Sequence, residues 1–476
     1  MNPRTPLLSA FLILSVAIRA PAAEPWQVDA TIAMGKIRPL HGVNNGPLNQ
    51  GETVDVSSAW NRLGIPLTRL HDSEWPTGDL VDIHAIVPNL QADLDSPASY
   101  RFGRTDDYLK PILASGSKIV YRLGESIEHS RRKLHVHPPQ DYDCWVNACL
   151  GIIRHYNEGW ADGHRYDIQY WEIWNEPENR PAMWSGTDEE YFKLYVTAAK
   201  KIKTRFPHLK IGGPACGAVG EIKAGKLAPS PFVSGFLTAC RAADAPLDFF
   251  SWHTYTNDPG LYARKAVAIR DWLNREGFSK TELHLNEWNY LPGDDWGPML
   301  NSAEPSARKR WYAEMGGVSG ASFVASTLIS LQDSPVDIAN YYSGDTSPFG
   351  VFDRFGAPKK TYYALLAFRQ MLETPNRVLI VGDDSGKVFA LAGLNDRKTE
   401  LRVLISHQVA DSNSWPLQIN KLPWDTDSDI EVLHLDQDSD LKAVSRSALK
   451  SGGLPMIYQL PGSGVVLLKL RPRTDH

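Results

Sequence analysis

One feature constrains this chain more than any other. After residue 35, short apolar runs ending in polar or glycine-rich turns alternate with longer stretches of helical period. Strand-like runs fall at 39–44, 66–72, 118–124, 167–176, 209–214, 247–255, 281–288 and 336–342. Amphipathic stretches at 142–156, 188–206, 231–242, 262–276 and 306–319 lie between them. Eight strands alternating with helices predict an α/β chain folded as a (β/α)8 TIM barrel. An open doubly wound sheet would need a phosphate-binding glycine loop after an early strand, and Gly212-Gly213-Pro214 reads instead as a tight strand-end turn. A last helix is expected at 362–372, and after about residue 376 the pattern changes. Runs at 388–394, 401–407, 430–435 and 464–470 are strand-like, with polar turns and no helix-length pattern between them. The expected organisation is a catalytic barrel over 24–375 and an accessory C-terminal β-sandwich over 376–476. Residues 26–36 read as one more strand, added to the barrel or paired with the β-domain.

Composition removes several function classes. Lys+Arg number 50 against 55 Asp+Glu, a net charge of -5, and hydrophobic residues make up 42%. That balance lacks the basic stripe of a nucleic-acid binder and is too apolar for a disordered chain. The 15 Trp and 18 Tyr are a high count; aromatics in number often mean core, and sugar-binding clefts also use them, because a ring face stacks on the apolar face of a sugar. At the N-terminus, Arg4, an apolar stretch over 7–18 and Ala20-Pro21-Ala22 form a signal-peptide pattern, with cleavage expected near residue 23. The apolar stretch is too short to span a bilayer, no later segment is long enough, and no cysteine offers a lipid anchor. A periplasmic or extracellular protein is therefore expected. Cys144, Cys149, Cys216 and Cys240 have no zinc-site spacing, and disulfides and buried thiols are both compatible with them.

Chemistry is concentrated in two strand ends. Tyr170-Trp171-Glu172-Ile173-Trp174-Asn175-Glu176-Pro177 runs into a proline stop, which puts Glu176 at the C-terminal rim where barrel enzymes carry their chemistry. Period two puts Glu172, Trp174 and Glu176 on one face, with Glu172 deeper and paired to a cation. A second strand, Leu283-His284-Leu285-Asn286-Glu287-Trp288, also ends in a glutamate. Two carboxylates on one rim can face each other across a cleft. Glycoside hydrolysis needs that arrangement, one group protonating the leaving oxygen and the other meeting the oxocarbenium-like carbon.

Trp174-Asn175-Glu176-Pro177 and Asn286-Glu287-Trp288 resemble the two motifs of clan A glycoside hydrolases, and within that clan family 39, which holds β-xylosidases and α-L-iduronidases. His41-Gly42-Val43-Asn44-Asn45-Gly46-Pro47, Arg69-Leu70-His71-Asp72, Ser251-Trp252-His253-Thr254-Tyr255 and the Gly350 to Ala364 segment fit the same family. The resemblance covers roughly residues 36–372. It implies Glu176 as general acid/base, Glu287 as nucleophile and Asn175 as a ligand of the substrate 2-hydroxyl. It implies further that Tyr255 hydrogen-bonds Glu287, that Arg69 keeps Glu287 ionised, and that His71, His253, Trp288 and Tyr342 support the sugar site. Tyr342 stands where family 39 xylosidases carry a tryptophan, and the acidic segment that follows in them is replaced by Ser343-Gly344-Asp345-Thr346. Glu125 ends the third strand, as a substrate contact or as a surface loop residue.

The activity expected is that of an exported retaining glycosidase, β-xylosidase-like and exo-acting on plant-type oligosaccharides, with no cofactor, metal, nucleic acid or membrane anchor. Arabinosidase, galactosidase and iduronidase specificities are the alternatives. A metal-dependent sugar isomerase using Glu172, Glu176, His253 and Glu287, and a non-catalytic sugar-binding barrel, are the more distant ones. A retaining pair requires carboxyl groups about 5–5.5 Å apart and an inverting pair roughly 6.5–9.5 Å.

Overall fold

The structure is a computed structural model describing residues 26–74, 78–300, 302–382, 386–408, 413–451, 456–460 and 462–473. The stretch at 1–23, where a signal peptide is expected, lies outside the described residues.

The chain enters through β1 (Trp26–Lys36), then builds β2 (Gly42–Asn44), β3 (Leu67–Leu70), β4 (Lys118–Leu123), β5 (Tyr170–Ile173), β6 (Lys210–Cys216), β7 (Phe249–Thr256), β8 (Glu282–Tyr290) and β9 (Ile338–Tyr341). Strands β2 to β9 pair in parallel in chain order, and β9 returns to β2 through Asn340↔Gly42 and Tyr341↔Val43, which closes the barrel. Glycine is required at that seam. A Cβ on Gly42 would stand 2.6 Å from the Ala339 carbonyl and 2.8 Å from that of Leu67.

Amphipathic helices clothe the barrel, as their period dictates. Helix Tyr142–Asn157 buries Trp145, Cys149, Ile152 and Ile153, and Asp141 caps its first turn by accepting from the amides of Asp143 and Cys144. Helix Asp188–Arg205 starts with a reciprocal capping box between Thr187 and Glu190. The run at 306–319 proves to be helix Pro305–Met315 followed by a second helix, Val318–Ser330. The second helix leaves no periodic signal because it is buried all round, between barrel and β-domain. Its Ser322 and Ser326 hydroxyls bond the His407 carbonyl and Ser406 Oγ across that junction.

Among the described residues the tail holds eight strands: β10 (Asn376–Val381), β11 (Val388–Leu394), β12 (Leu401–His407), β13 (Asn413–Lys421), β14 (Ser428–Leu435), β15 (Asp440–Leu449), β16 (Met456–Leu460) and β17 (Gly464–Pro472). With β1 they form one sheet in the order β15-β14-β17-β12-β11-β10-β1-β13-β16, around a core of its own that includes Trp26, Val28, Val403, Leu417, Ile430 and Leu468. The entering strand thus belongs to the β-domain and not to the barrel, antiparallel to β10 and parallel to β13. All four cysteines are free thiols, three of them buried. Among the described residues no helix is long and apolar enough to cross a membrane.

Candidate active site

Arg69 organises the C-terminal mouth of the barrel from the middle of β3. Its guanidinium is fully buried. Nε donates to Glu172 Oε2 at 2.7 Å, Nη2 to Asn175 Oδ1 at 2.6 Å, and Nη1 to Glu287 Oε2 at 3.2 Å and Asn44 Oδ1 at 3.1 Å. Asn286 Nδ2 donates to the other oxygen of Glu172. The buried charge of Glu172 is therefore paired and hydrogen-bonded, as a charge removed from water must be.

Departures from strand geometry aim the glutamates. β5 ends at Ile173, and Trp174 (φ 70°) and Glu176 (φ 40°) are left-handed. Such conformations are strained for non-glycine residues and cluster at functional sites. The turn sends Trp174 outward, where its Nε1 donates to the Met183 carbonyl at 2.7 Å beside Trp184. Asn175 and Glu176 turn toward the barrel mouth, and the Glu176 amide donates to the Ala215 carbonyl at 3.0 Å. The period-two expectation that Trp174 shares a face with Glu172 and Glu176 is corrected by this turn. On β8 the pairing with β7 jumps from Trp252↔Leu285 to His253↔Glu287. Asn286 is the extra residue of that bulge, and with it both Asn286 and Glu287 reach inward.

Oxygens of Glu176 and Glu287 approach within 4.8 Å across the mouth, with His253 between them. His253 Nδ1 lies 2.8 Å from Glu176 Oε1 and 3.7 Å from Glu287 Oε2. Tyr255 OH donates to Glu287 Oε1 at 2.5 Å, and Asn179 Nδ2 to Glu176 Oε2 at 3.1 Å. Burial lowers the His253 pKa, but the charge of Glu287 and the hydrogen bond and charge of Glu176 overcome it, and the imidazole sits above its ordinary value. Burial raises Glu176, while the His253 hydrogen bond and charge, then Asn179 and Arg69, bring it below the usual range. Burial also raises Glu287. The His253 charge pulls it down, the Glu176 charge pushes it up again, and Arg69 and Tyr255 offset only part, so it stays above the usual range. His253 and Glu176 thus each favour the other's charged form across their hydrogen bond, while Glu287 is pushed toward its neutral form.

The family model for glycosyl hydrolases family 39 matches residues 80–358, well over half the chain and spanning both glutamates. The chain belongs to glycosyl hydrolases family 39. A curated β-xylosidase from Geobacillus stearothermophilus is 26% identical over 316 residues, 60% of this chain and 56% of its own length. The match thus spans little more than half of that relative. Among solved structures, a glucosidase from Croceicoccus marinus superposes with a TM-score of 0.78 at 25% identity, covering 96% of this chain and 100% of the other. A monomeric β-xylosidase from Caulobacter crescentus CB15 shares the fold, with a TM-score of 0.71 at 15% identity over 94% of this chain and 99% of the other.

In this family 39 chain the cleft over the two glutamates encloses about 1150 Å³. Arg69 and Tyr255 touch Glu287 and His253 touches Glu176, while His71, Asn175 and Tyr342 line the space around them. Trp288 does not. It is fully buried, packed against Tyr262 and Tyr341, because the residue after an inward Glu287 must face outward. Glu125 is not a surface residue and stands outside the cleft wall. It is buried, and it pairs with His84 Nδ1 at 2.5 Å. Burial lifts it to about 7. Sequence reasoning missed Asp72, whose Oδ2 accepts from Tyr342 OH at 3.3 Å and whose pKa burial raises to about 7. It also missed Asn179 and Trp296 of the cleft wall, which lie on loops without a period, and Lys265 of helix Leu261–Arg275.

Glu176, His253 and Glu287 also offer three donor atoms close enough for a metal ion. The fit is poor, because the near imidazole nitrogen is engaged by Glu176 and the Arg69 guanidinium already supplies the cation beside Glu287.

Proposed function

We propose that the protein is a retaining glycoside hydrolase acting by double displacement, with Glu287 as nucleophile and Glu176 as acid/base. The observation that carries this reading is the close pair of carboxylates across the barrel mouth, within 4.8 Å at their nearest oxygens. A retaining pair stands about 5–5.5 Å apart and an inverting pair roughly 6.5–9.5 Å, so the short approach favours retention.

The site suggests how the proton is delivered. A bound sugar displaces water, and desolvation favours the neutral form of the His253–Glu176 ion pair. The proton crosses the 2.8 Å hydrogen bond from Nδ1 to the Glu176 carboxylate. Glu176 then gives it to the leaving oxygen as Glu287 attacks the anomeric carbon. In the second half, Glu176 takes a proton from water as that water releases the sugar from Glu287. Asn175, its carbonyl oxygen fixed by Arg69, turns its amide toward the sugar as the ligand of the 2-hydroxyl, an interaction that strengthens in the transition state.

The substrate we favour is a short β-linked pentose chain cleaved from its end, on the strength of the family 39 β-xylosidase relatives. A glucoside is the second reading, supported by the Croceicoccus marinus glucosidase and by Tyr342 in place of tryptophan. Export rests on the leader pattern at 1–23 and is tested by the N-terminus of protein recovered outside the cytoplasm. Hydrolysis of an aryl glycoside panel (β-xyloside, α-L-arabinoside, β-galactoside, β-glucoside, α-L-iduronide) tests the activity. Turnover of β-xyloside above the others is expected, and no turnover of any member would contradict it.

A further inference from the structure

Lys265 stands on helix Leu261–Arg275 and lines the cleft. Its ammonium donates to Thr254 Oγ1 at 3.0 Å and lies 6.0 Å from the centroid of the Trp252 ring. A hydroxyl and a ring are its only partners among the described residues, so two N–H donors and the whole charge have no carboxylate to meet. Burial depresses its pKa, with a small opposing contribution from Cys216. A half-buried ammonium without a counter-ion is costly. In a chain of net charge -5, carboxylates to pair it are plentiful, yet none is supplied.

The position of this cation in the cleft gives it meaning. Glu176 marks the side on which the glycosidic bond opens, and Arg69, Tyr255 and Tyr342 hold the other side around Glu287. Past Glu176 the wall is Gly217, where an added Cβ would stand 2.9 Å from Glu176 Oε1. Gly217, Thr254 and Lys265 line the same cleft as Glu176, and the bare backbone at Gly217 leaves the space beside the acid/base unfilled. Trp296, 42% exposed and set edge-on to Tyr255 at 5.1 Å, adds an accessible ring to the same cleft.

We propose that Lys265 is the specificity residue of a leaving-group subsite that takes a carboxylate-bearing unit, such as a uronic acid, beside Glu176. This rests on the assignment of Glu176 as the acid/base. The carboxylate supplies the counter-ion the fold withholds, and it discriminates against neutral leaving groups because only they leave the ammonium unpaired.

The test uses two aryl glycosides of the best panel sugar, one with a para carboxymethyl arm and one with its neutral amide isostere. Wild-type protein is expected to favour the acid by about tenfold in kcat/KM at low salt, the magnitude of one partly desolvated ion pair, with the preference shrinking as salt rises. Lys265→Met should bring the acid-to-amide ratio to about one, and Lys265→Arg should preserve it. A wild-type ratio near one, or a ratio unchanged in Lys265→Met, overturns the proposal, and the wild-type ratio serves even if the methionine variant does not fold. If neither compound is hydrolysed, the acid/base reading fails. Calorimetric binding of the same two compounds then still decides whether the acid is preferred and whether salt weakens it.

Discussion

Replacing Arg69 with methionine removes a guanidinium that contacts Glu172, Asn175, Glu287 and Asn44 at 2.6–3.2 Å. Glu172 is fully buried, and without Arg69 its only side-chain hydrogen-bond partner among the described residues is the Asn286 amide. Breaking a buried pair from one side costs about 3–5 kcal/mol, because the other charge is stranded. The barrel should therefore lose that stability, seen in urea titration and as a fall in Tm of roughly 4–7 °C. Activity should fall separately. Glu287 loses its cation and Asn175 its anchor, and about 3–4 kcal/mol of transition-state stabilisation corresponds to a drop of roughly 10²–10³ in kcat/KM. The two effects divide in Arg69→Met/Glu172→Gln. Neutralising Glu172 removes the stranded charge and should return at least about 2 kcal/mol of stability, while activity stays low because Glu287 is still unsupported. Arg69→Met within about 1 kcal/mol of the parent, below what breaking a buried pair costs, or a double variant that regains activity, would refute this account of the hub.

Glu176→Ala should cripple glycosides with poor leaving groups while sparing the first step of activated aryl glycosides, and added azide should restore their turnover. Near-normal rates on oligosaccharides would exclude Glu176 as the acid. Tyr255→Phe removes a 2.5 Å hydrogen bond that lowers the Glu287 pKa, so the acidic limb of the pH–rate profile should move to higher pH. A loss of about 1.5–3 kcal/mol, or roughly 10–100-fold in kcat, should accompany it. His41 is buried with a pKa held down at about 4, chiefly by burial, while its Nε2 donates to the Leu63 and Gly64 carbonyls. The unfolded chain takes up that proton near pH 6.5 and the folded chain does not. Stability is therefore full above pH 6.5 and falls by about 3 kcal/mol as the pH drops toward 4. His41→Gln should flatten that part of the denaturation profile, and an unchanged slope would count against it.

The barrel was legible because its strands are apolar and most of its helices carry one apolar face, helix Val318–Ser330 excepted. Parity also worked on β7, where Ser251, His253 and Tyr255 all face the barrel interior side of the site. It failed where the backbone leaves the ideal strand, at the left-handed turn of Trp174 and Glu176 and at the Asn286 bulge, since both events change which side chains face inward without changing composition. Trp288 shows the converse: the motif drew attention to it, while simple alternation assigns it to the packing behind the sheet. In the tail, β15 was invisible because most of its residues are exposed and polar, and β13 carries Pro416. The proton arrangement was out of reach. Arg69 alone suggests an ionised Glu287, but His253 lies nearer to Glu176 than to Glu287, so Glu176 is lowered and Glu287 raised.

The central claim is that Glu287 attacks the anomeric carbon. A 2-fluoro glycoside of the preferred sugar should inactivate the protein and leave one glycosyl unit on Glu287 in a peptide mass map. Proton NMR of the first-formed sugar should then show the substrate's own anomeric configuration before mutarotation. Inverted product, or a label on another carboxylate, would contradict the mechanism.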